Sequence, residues 1–176
     1  MSSRTAKRLI VMRHAKSSWK HPEMEDHERT LNKRGRLSAQ AVAKKLQAIG
    51  WNPTSVISSD SARTKQTWAL MQPFLEDTSA SFHRSLYLSG WDEATVEVCA
   101  QINGDASVLL LGHNPGWSWM VSQLTGRPTE LKTADAILLE PKQNEATWVD
   151  LMTLPRQWNI IHILRSRTLL EYQDLT

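Results

Sequence analysis

The chain has 176 residues, of which 40% are hydrophobic and 22% charged, the size and balance of one soluble globular domain. Its formal net charge of +3 mildly favours anionic ligands, and no Lys/Arg block indicates a nucleic-acid or membrane surface. Because the apolar run after Arg8 is too short for a signal peptide or a spanning helix, and the lone Cys99 cannot form an internal disulfide, we expect residues 1–176 to form a single cytoplasmic domain.

The first predicted element is a buried strand near residues 8 to 13. Its apolar run from Leu9 to Met12 is typical of a parallel strand, and it ends in adjacent Arg13 and His14. Ligands of open α/β sheets bind at the carboxyl edge of the strands. A histidine beside a fixed positive charge at that edge is equipped to attack or to hold a phosphoryl group. A strand followed by an ordinary polar loop is the alternative.

The next predicted elements are a polar loop, a helix, a second strand and a second helix. Asn32 is a candidate cap for the helix from Gly35 to Ile49, whose apolar residues recur at helical period. Ser55–Ser58 is predicted as a short buried strand. A serine-rich bend then leads into a helix over Ala62–Met71, whose first turn carries Arg63.

The second half of the chain continues the alternation of strands and helices. Its predicted strands are Ser81–Leu88, Val108–Leu111, Ala136–Glu140 and Trp158–Leu164, and its predicted helices are Ala94–Ile102 and Trp117–Leu124. Gly112 and His113 follow Val108–Leu111 at the point where the chain must turn. The sequence therefore predicts one three-layer α/β/α sandwich with a mostly parallel central sheet.

Three of the predicted strand ends together offer two arginines and two histidines, namely Arg13, His14, Arg63 and His113. A guanidinium presents a planar fork of donors that matches phosphate oxygens. Because the carboxyl ends of parallel strands open to one edge, we expect the rings of His14 and His113 to face each other across one pocket. The predicted pocket suits a dianionic phosphoryl group.

The motifs that carry these residues resemble those of the histidine phosphatase superfamily. RHAKSSW resembles its arginine–histidine motif, SSDSARTKQT its second-arginine motif and LLLGHNP its second-histidine motif, in the family's order. Asp26, Arg29, Leu31 and the pair Arg34-Gly35 match the segment that follows the first motif. That segment and the short chain resemble the phosphohistidine phosphatase (SixA-type) branch, which implies a phosphoglycerate mutase-like fold.

The resemblance implies a phosphatase that needs no metal and no cofactor. His14 would attack phosphorus and form a phosphohistidine intermediate, while Arg13, Arg63 and His113 would hold the phosphoryl oxygens. Ser17 and Arg29 are further candidates for substrate binding in the same pocket. Asp26 is a candidate to orient Arg29 or a pocket histidine, and a solvated loop carboxylate is the alternative. Lys16 is interpreted as a surface charge in preference to a phosphate contact.

The sequence shows no clear acid to protonate a leaving group. Asn114 stands directly after the second histidine, where many relatives have Asp, and Asp92 and Glu93 do not fit the pattern of another group of relatives. A phosphohistidine substrate needs such an acid less than an alkyl phosphate does. The stretches 17–34 and 140–157 are too short for a lid, so we expect an open pocket.

The leading hypothesis is therefore a protein phosphohistidine phosphatase, whose partner is a phosphorylated protein domain. The alternatives are a small-molecule phosphatase acting on a sugar phosphate, nucleotide or cofactor precursor, and a non-catalytic phosphate-binding protein. The other four histidines match no motif and are interpreted as loop or core-edge residues: His21, His27, His83 and His162. Alternation along the last strand is expected to turn His162 away from the face of Ile161 and Ile163.

Overall fold

A six-stranded sheet forms the centre of the protein in a computed structural model that describes residues 6–173. Its strands are β1 Arg8–Arg13, β2 Ser55–Ser59, β3 Ser79–His83, β4 Ser107–Gly112, β5 Ala136–Pro141 and β6 Trp158–Leu164. They follow the spatial order β3-β2-β4-β1-β5-β6. Neighbouring strands from β3 to β1 pair in parallel, whereas β5 pairs antiparallel with both β1 and β6, so the predicted mostly parallel sheet is confirmed.

Helices cover both faces of the sheet: α1 Lys33–Ala48, α2 Ala62–Met71, α3 Trp91–Gln101, α4 Gly116–Thr125, α5 Trp148–Thr153 and α6 Ser166–Gln173. Side chains of β1 alternate between two apolar cores, with Leu9 and Val11 in one and Ile10 and Met12 in the other. The first core is closed by α3, α4 and α5, and the second by α1, α2 and α6. The predicted three-layer α/β/α sandwich is thereby confirmed.

Local signals explain where the helices around the site begin. The Asn32 side chain accepts a hydrogen bond from the backbone N–H of Gly35, as predicted for a cap, although α1 already begins at Lys33. Ser61 caps α2 in the same way through the N–H of Thr64. These caps set the position at which α2 starts, and Arg63 lies in its first turn.

Two helices and part of a strand differ from the sequence prediction. The stretch 140–157 contains α5, whose Thr147 and Asp150 form a reciprocal capping box that is readable in the sequence. The helix α6 was not predicted either. The strand predicted over Ser81–Leu88 lies instead at Ser79–His83 and is followed by a 3-10 turn, Arg84–Leu86.

The alternation predicted for β6 is wrong in its second half. The pairing partners shift between Leu138 and Leu139, so that Ile161 is skipped in the register. His162, Ile161 and Ile163 are all exposed, because β6 is an edge strand whose bulge breaks the two-residue period. No helix within residues 6–173 combines the length and the apolar character needed to span a bilayer.

Candidate active site

The two predicted site histidines lie side by side at the carboxyl edge of the sheet. His14 follows β1 and His113 follows β4, and these strands are parallel neighbours with Arg13 opposite Gly112. The two imidazole rings have centroids 5.2 Å apart and are tilted by 54°. The sheet register therefore brings together residues that are far apart in the chain.

His14 is held in a neutral form in which one nitrogen has a lone pair that can act as a base or nucleophile. Its Nδ1 is 2.8 Å from the carbonyl oxygen of Ala15 and must carry a proton, because a carbonyl only accepts. Nε2 therefore keeps its lone pair, and the Nε–H of Arg63 donates to it at 3.3 Å. Burial, together with the positive charges of Arg63 and Arg13, lowers the pKa of His14 to about 3.

His113 has the opposite tautomer. Its Nε2 donates to the hydroxyl of Ser59 at 2.8 Å, and its Nδ1 accepts from Arg63 Nη2 at 3.4 Å. Burial and the neighbouring His14 and Arg63 lower its pKa to about 3 as well. Ser59, at the end of β2, is thus a site residue that the sequence analysis missed.

Arg63 is the centre of the cluster and is only 2% exposed. Besides contacting both histidines, it donates through Nη1 to the backbone carbonyl of Asp26 at 2.6 Å and through Nη2 to the Asp26 carboxylate at 3.0 Å. Each of its three nitrogens therefore contacts a protein group, and four of its five N–H donors are engaged. An oxyanion that takes more than one donor from this guanidinium must replace one of these contacts.

Arg13 retains unused hydrogen-bonding capacity beside His14. Its Nη1 donates to the carbonyl of Leu131 at 3.3 Å, while its buried Nε has no acceptor among residues 6–173. Burial lowers the pKa of Arg13, and the nearby carboxylates of Asp135 and Glu130 oppose this. A guanidinium stays charged in proteins, so Arg13 offers a charged N–H donor without an acceptor among the described residues at the end of β1.

Ser17 and Arg29 form one unit next to this cluster. Arg29 donates to the Ser17 hydroxyl through Nη1 and to Asp26 Oδ1 at 3.0 Å through Nη2. The ring of the exposed Trp19 lies 3.7 Å from the Arg29 guanidinium carbon, a cation–π contact. The Nε of Arg29 is buried without a partner in the described part of the chain.

Asp26 links Arg63 to Arg29. Its carboxylate accepts hydrogen bonds from Arg63, Arg29 and the hydroxyl of Tyr87. Burial opposes ionisation, but the hydrogen bond from Tyr87 and the charge and hydrogen bonds of the arginines outweigh it and lower the pKa of Asp26 to about 2. Of the two interpretations considered from the sequence, the orienting role for Arg29 is the one that matches this geometry.

Two further residues lie at the site: Tyr87, which the sequence analysis did not consider, and His27, which it interpreted as a loop or core-edge residue. The Tyr87 ring lies edge-on to His113, with centroids 5.4 Å apart, and edge-on to His27 at 4.9 Å. His27 lies 2.7 Å from an Asp60 oxygen and 2.8 Å from a Glu28 oxygen, and the hydrogen bonds to Asp60 and Glu28 raise its pKa. His27 thus fastens the short 3-10 helix Asp26–Glu28 to the end of β2.

The site is closed rather than open. The exposed fractions of His14, Arg63 and His113 are 6%, 2% and 1%. The segment 17–32 carries Asp26 onto the arginines although it is too short to be recognised as a lid. In the pocket that the sequence predicted to be accessible, the Asp26 carboxylate therefore occupies hydrogen-bond donors of Arg63 and Arg29.

The other acidic and basic candidates lie outside the cluster. Glu93 accepts from the backbone N–H of Gly90 and caps α3, and Asp92 makes no contact with the four central residues. Asn114 donates to the carbonyl of Leu131 and accepts from Ser118. Lys16 is exposed, as its interpretation as a surface charge requires. Residues 6–173 contain no group of three His, Cys, Asp or Glu side chains that could hold a metal ion.

Comparison with known proteins agrees with this fold and these motifs. The family model of the histidine phosphatase superfamily (branch 1) matches residues 9–86. A chloroplastic protein of Arabidopsis thaliana that is described as uncharacterized is 34% identical over 171 residues, which cover 90% of this chain and 78% of the relative.

Solved structures of two similar proteins share the whole architecture. One, from Agrobacterium tumefaciens, carries the provisional name phosphohistidine phosphatase SixA. The structural match covers 91% of this chain and 98% of that protein at 23% sequence identity, with a TM-score of 0.76. The protein histidine phosphatase SixA complexed with tungstate covers 92% and 99% at 20% identity, with a TM-score of 0.74. This chain belongs to the histidine phosphatase superfamily, branch 1, and has the SixA-type fold.

Proposed function

We propose that this phosphatase acts on phosphohistidine in a protein and that His14 is its nucleophile. The observation that carries the proposal is the state of His14: Nδ1 is tied to the Ala15 carbonyl, and Nε2 keeps a lone pair within a cluster of arginines. A neutral imidazole is a competent nucleophile, and its lowered pKa keeps it neutral at physiological pH.

In the first half of the proposed reaction, the phosphoryl group is transferred to the enzyme. His14 Nε2 forms a bond to phosphorus while the bond from phosphorus to the leaving nitrogen breaks. In the reactive form of the substrate the other ring nitrogen carries a proton, so the leaving imidazole departs neutral, and phosphorylated His14 keeps its own proton on Nδ1. We propose that the guanidiniums of Arg13 and Arg63 stabilise the equatorial oxygens of the transferring group, because both are charged before the substrate arrives. His113 is neutral and its one N–H donates to Ser59, so it would join them only after a change of tautomer or of protonation.

In the second half, water attacks the phosphorus of phosphorylated His14. A bond forms from the water oxygen to phosphorus as the P–N bond breaks, phosphate leaves as H₂PO₄⁻ with both hydrogens of the water, and Nε2 of His14 regains its lone pair. The same arginines serve this step because the geometry of the transferring group is the same.

Displacement of Asp26 is the step that admits substrate. The carboxylate occupies hydrogen-bond donors of Arg63 and Arg29 that a phosphoryl group needs. Tungstate, the oxyanion in the complex of the SixA protein named above, is a tetrahedral mimic of phosphate, and we propose that such an anion takes the place of Asp26 on these arginines. Movement of the segment 17–32 would then expose His14 to a histidine on a protein surface.

The missing acid supports a substrate with a good leaving group. Asp26 is ionised at neutral pH because its pKa is about 2, and Asn114 carries no acidic proton. Asp92 and Glu93 do not reach the cluster. An alkyl phosphate needs a proton donor, which contributes about 10²–10⁴-fold in enzymes that have one, whereas an imidazole leaving group brings its own proton.

We expect kcat/KM for a phosphohistidine-bearing carrier protein and for aryl phosphates to exceed that for sugar phosphates by about 10²-fold or more, because only the last class needs a general acid. The measurement is a leaving-group series under one set of conditions. EDTA should leave every rate unchanged, since the arginines supply the positive charge that a metal would otherwise provide.

The alternatives give different results in the same series. Efficient hydrolysis of one sugar phosphate, nucleotide or cofactor precursor, with the phosphohistidine protein left intact, would show a small-molecule phosphatase. Binding of phosphate without turnover of any substrate would show a phosphate-binding protein. A location in a reducing compartment such as the cytoplasm stays our prediction, supported by the free thiol of Cys99.

Replacement of Asp26 by Asn should separate binding from catalysis. Loss of the competing negative charge should tighten inhibition by tungstate about tenfold, because the arginines no longer have to exchange one anion for another. At the same time kcat should fall, because Arg29 and Arg63 lose a charged anchor. The comparison of tungstate Ki with kcat in Asp26→Asn and Asp92→Asn tests this, and weaker tungstate binding in Asp26→Asn alone would contradict it.

A further inference from the structure

We propose that this protein has a second anion site, separate from the catalytic pocket, which binds a small molecule carrying two or more phosphate groups. The site is a cavity of about 380 Å³ between the start of α1, the segment before β5 and the N-terminal end of α6. This volume is within the usual range for small-molecule pockets. The inference does not depend on which substrate the catalytic pocket takes.

The charge of the cavity is strongly positive. Five cationic side chains line it, with a single carboxylate: Lys16, Arg34, Lys132, Arg165 and Arg167, against Asp135. Lys16, Arg34 and Lys132 form no ion pair with any described residue, and they come from three different segments of the chain. Unpaired cations that converge from separate segments favour a ligand with several negative charges.

The single carboxylate does not neutralise these three cations. Asp135 is 2% exposed, and its oxygens accept hydrogen bonds from Arg165 at 2.6 Å and from the backbone N–H groups of Lys132 and Ser166. The negative charge of Asp135 is therefore balanced by Arg165 and by the backbone N–H at the start of α6. Arg167 is exposed and pairs with Glu171, so it is a weaker contributor.

Hydroxyl side chains supply further polar groups on the wall of the cavity. Ser38 of α1, which is 4% exposed, is one of them. Thr133 and Thr168 also line the cavity, and the N-terminal end of α6 favours negative charge next to them.

The cavity is distinct from the catalytic pocket but adjoins its frame. None of Arg13, His14, Arg63 and His113 lines it. The segment that carries Lys132 nevertheless contacts both catalytic strand-end residues, because the N–H of Ala134 donates to the carbonyls of Arg13 and His14. A ligand in the cavity would thus bind within a few residues of the catalytic groups without touching them.

Calorimetric titration of the protein with inorganic pyrophosphate, in the presence of EDTA, tests the site. The wild-type protein should show a binding event that the double variant Arg34→Ala/Lys132→Ala weakens at least tenfold. The matched control is Lys33→Ala/Arg36→Ala, which also removes two positive charges, both from the start of α1, but from residues that do not line the cavity. Ser38→Ala should weaken the same event severalfold.

Two further measurements keep the result unambiguous. Pyrophosphate should raise the Tm of the wild-type and control proteins more than that of the double variant, because a ligand stabilises the state it binds. Inhibition of the phosphatase by tungstate should be equal in all of them. Equal pyrophosphate binding by the double variant and the control, or loss of the event only in Arg63→Ala, would overturn the second site while leaving the proposed phosphatase function untouched.

Discussion

Replacement of His14 by alanine should abolish turnover while the protein stays folded. Loss of an enzyme's nucleophile typically costs on the order of 10⁶ in kcat. His113 lies on the neighbouring strand end, with its ring centroid 5.2 Å from that of His14, and presents its lone pair from Nδ1 rather than Nε2, so we expect it not to take over the attack. The measurement is kcat/KM on an aryl phosphate, with Tm as the check on folding.

A trapping experiment locates the covalent step. Quenching at neutral or alkaline pH, which spares the acid-labile P–N bond, should leave phosphate on His14 in the wild-type protein and none in His14→Ala. His162→Ala is the matched control, because His162 is exposed on the edge strand β6. Wild-type activity in His14→Ala, or phosphate trapped on another residue, would contradict the nucleophile assignment.

The second large effect is expected for Arg63→Ala, which should lower kcat/KM by about 10²–10³-fold, the range for losing one preorganised transition-state donor. Arg63 is the only described residue that contacts His14, His113 and Asp26 together. Arg63→Lys should recover little, since an ammonium group cannot reproduce the planar fork of donors. Its partner Asp26 is half-exposed and can be hydrated, so the variant should fold.

Tungstate binding separates a direct role of Arg63 from a structural one. Arg63→Ala should weaken tungstate inhibition in parallel with kcat/KM, whereas Arg36→Ala, an exposed arginine on α1, should change neither. A variant that loses rate but binds tungstate as tightly as the wild type would show that Arg63 only positions its neighbours. Unchanged rate and unchanged binding would refute both roles.

The central cluster was predictable because its signals are local. Apolar runs that end in Arg13-His14 and in Gly112-His113 indicate buried parallel strands, and parallel strands present their carboxyl ends at one edge. The second motif has glycine before its histidine because a Cβ at Gly112 would lie 2.6 Å from the indole of Trp117. The pairing of β1 with β4 then brings the two rings into contact, as expected.

The errors in the prediction have equally specific causes. The helix α5 had a readable capping box, but its six residues are too few to show a helical period. The bulge at Ile161 depends on pairing with β5 and leaves no mark in a strand of continuous apolar residues. The cover over the site was missed because the segment 17–32 has the length of an ordinary loop.

By itself, the sequence determined the three-layer architecture and the four residues at the strand ends, since both follow from hydrophobic period and strand polarity. Only the tertiary structure decided how these residues are partnered. Asp26, Tyr87 and Ser59 reach the cluster through contacts between segments that are distant in the chain, and their spacing carries no periodic signal. Such contacts set the tautomers of the histidines, the pKa of Asp26 and the closure of the pocket, because electrostatics and burial depend on distance in space rather than on order in the chain.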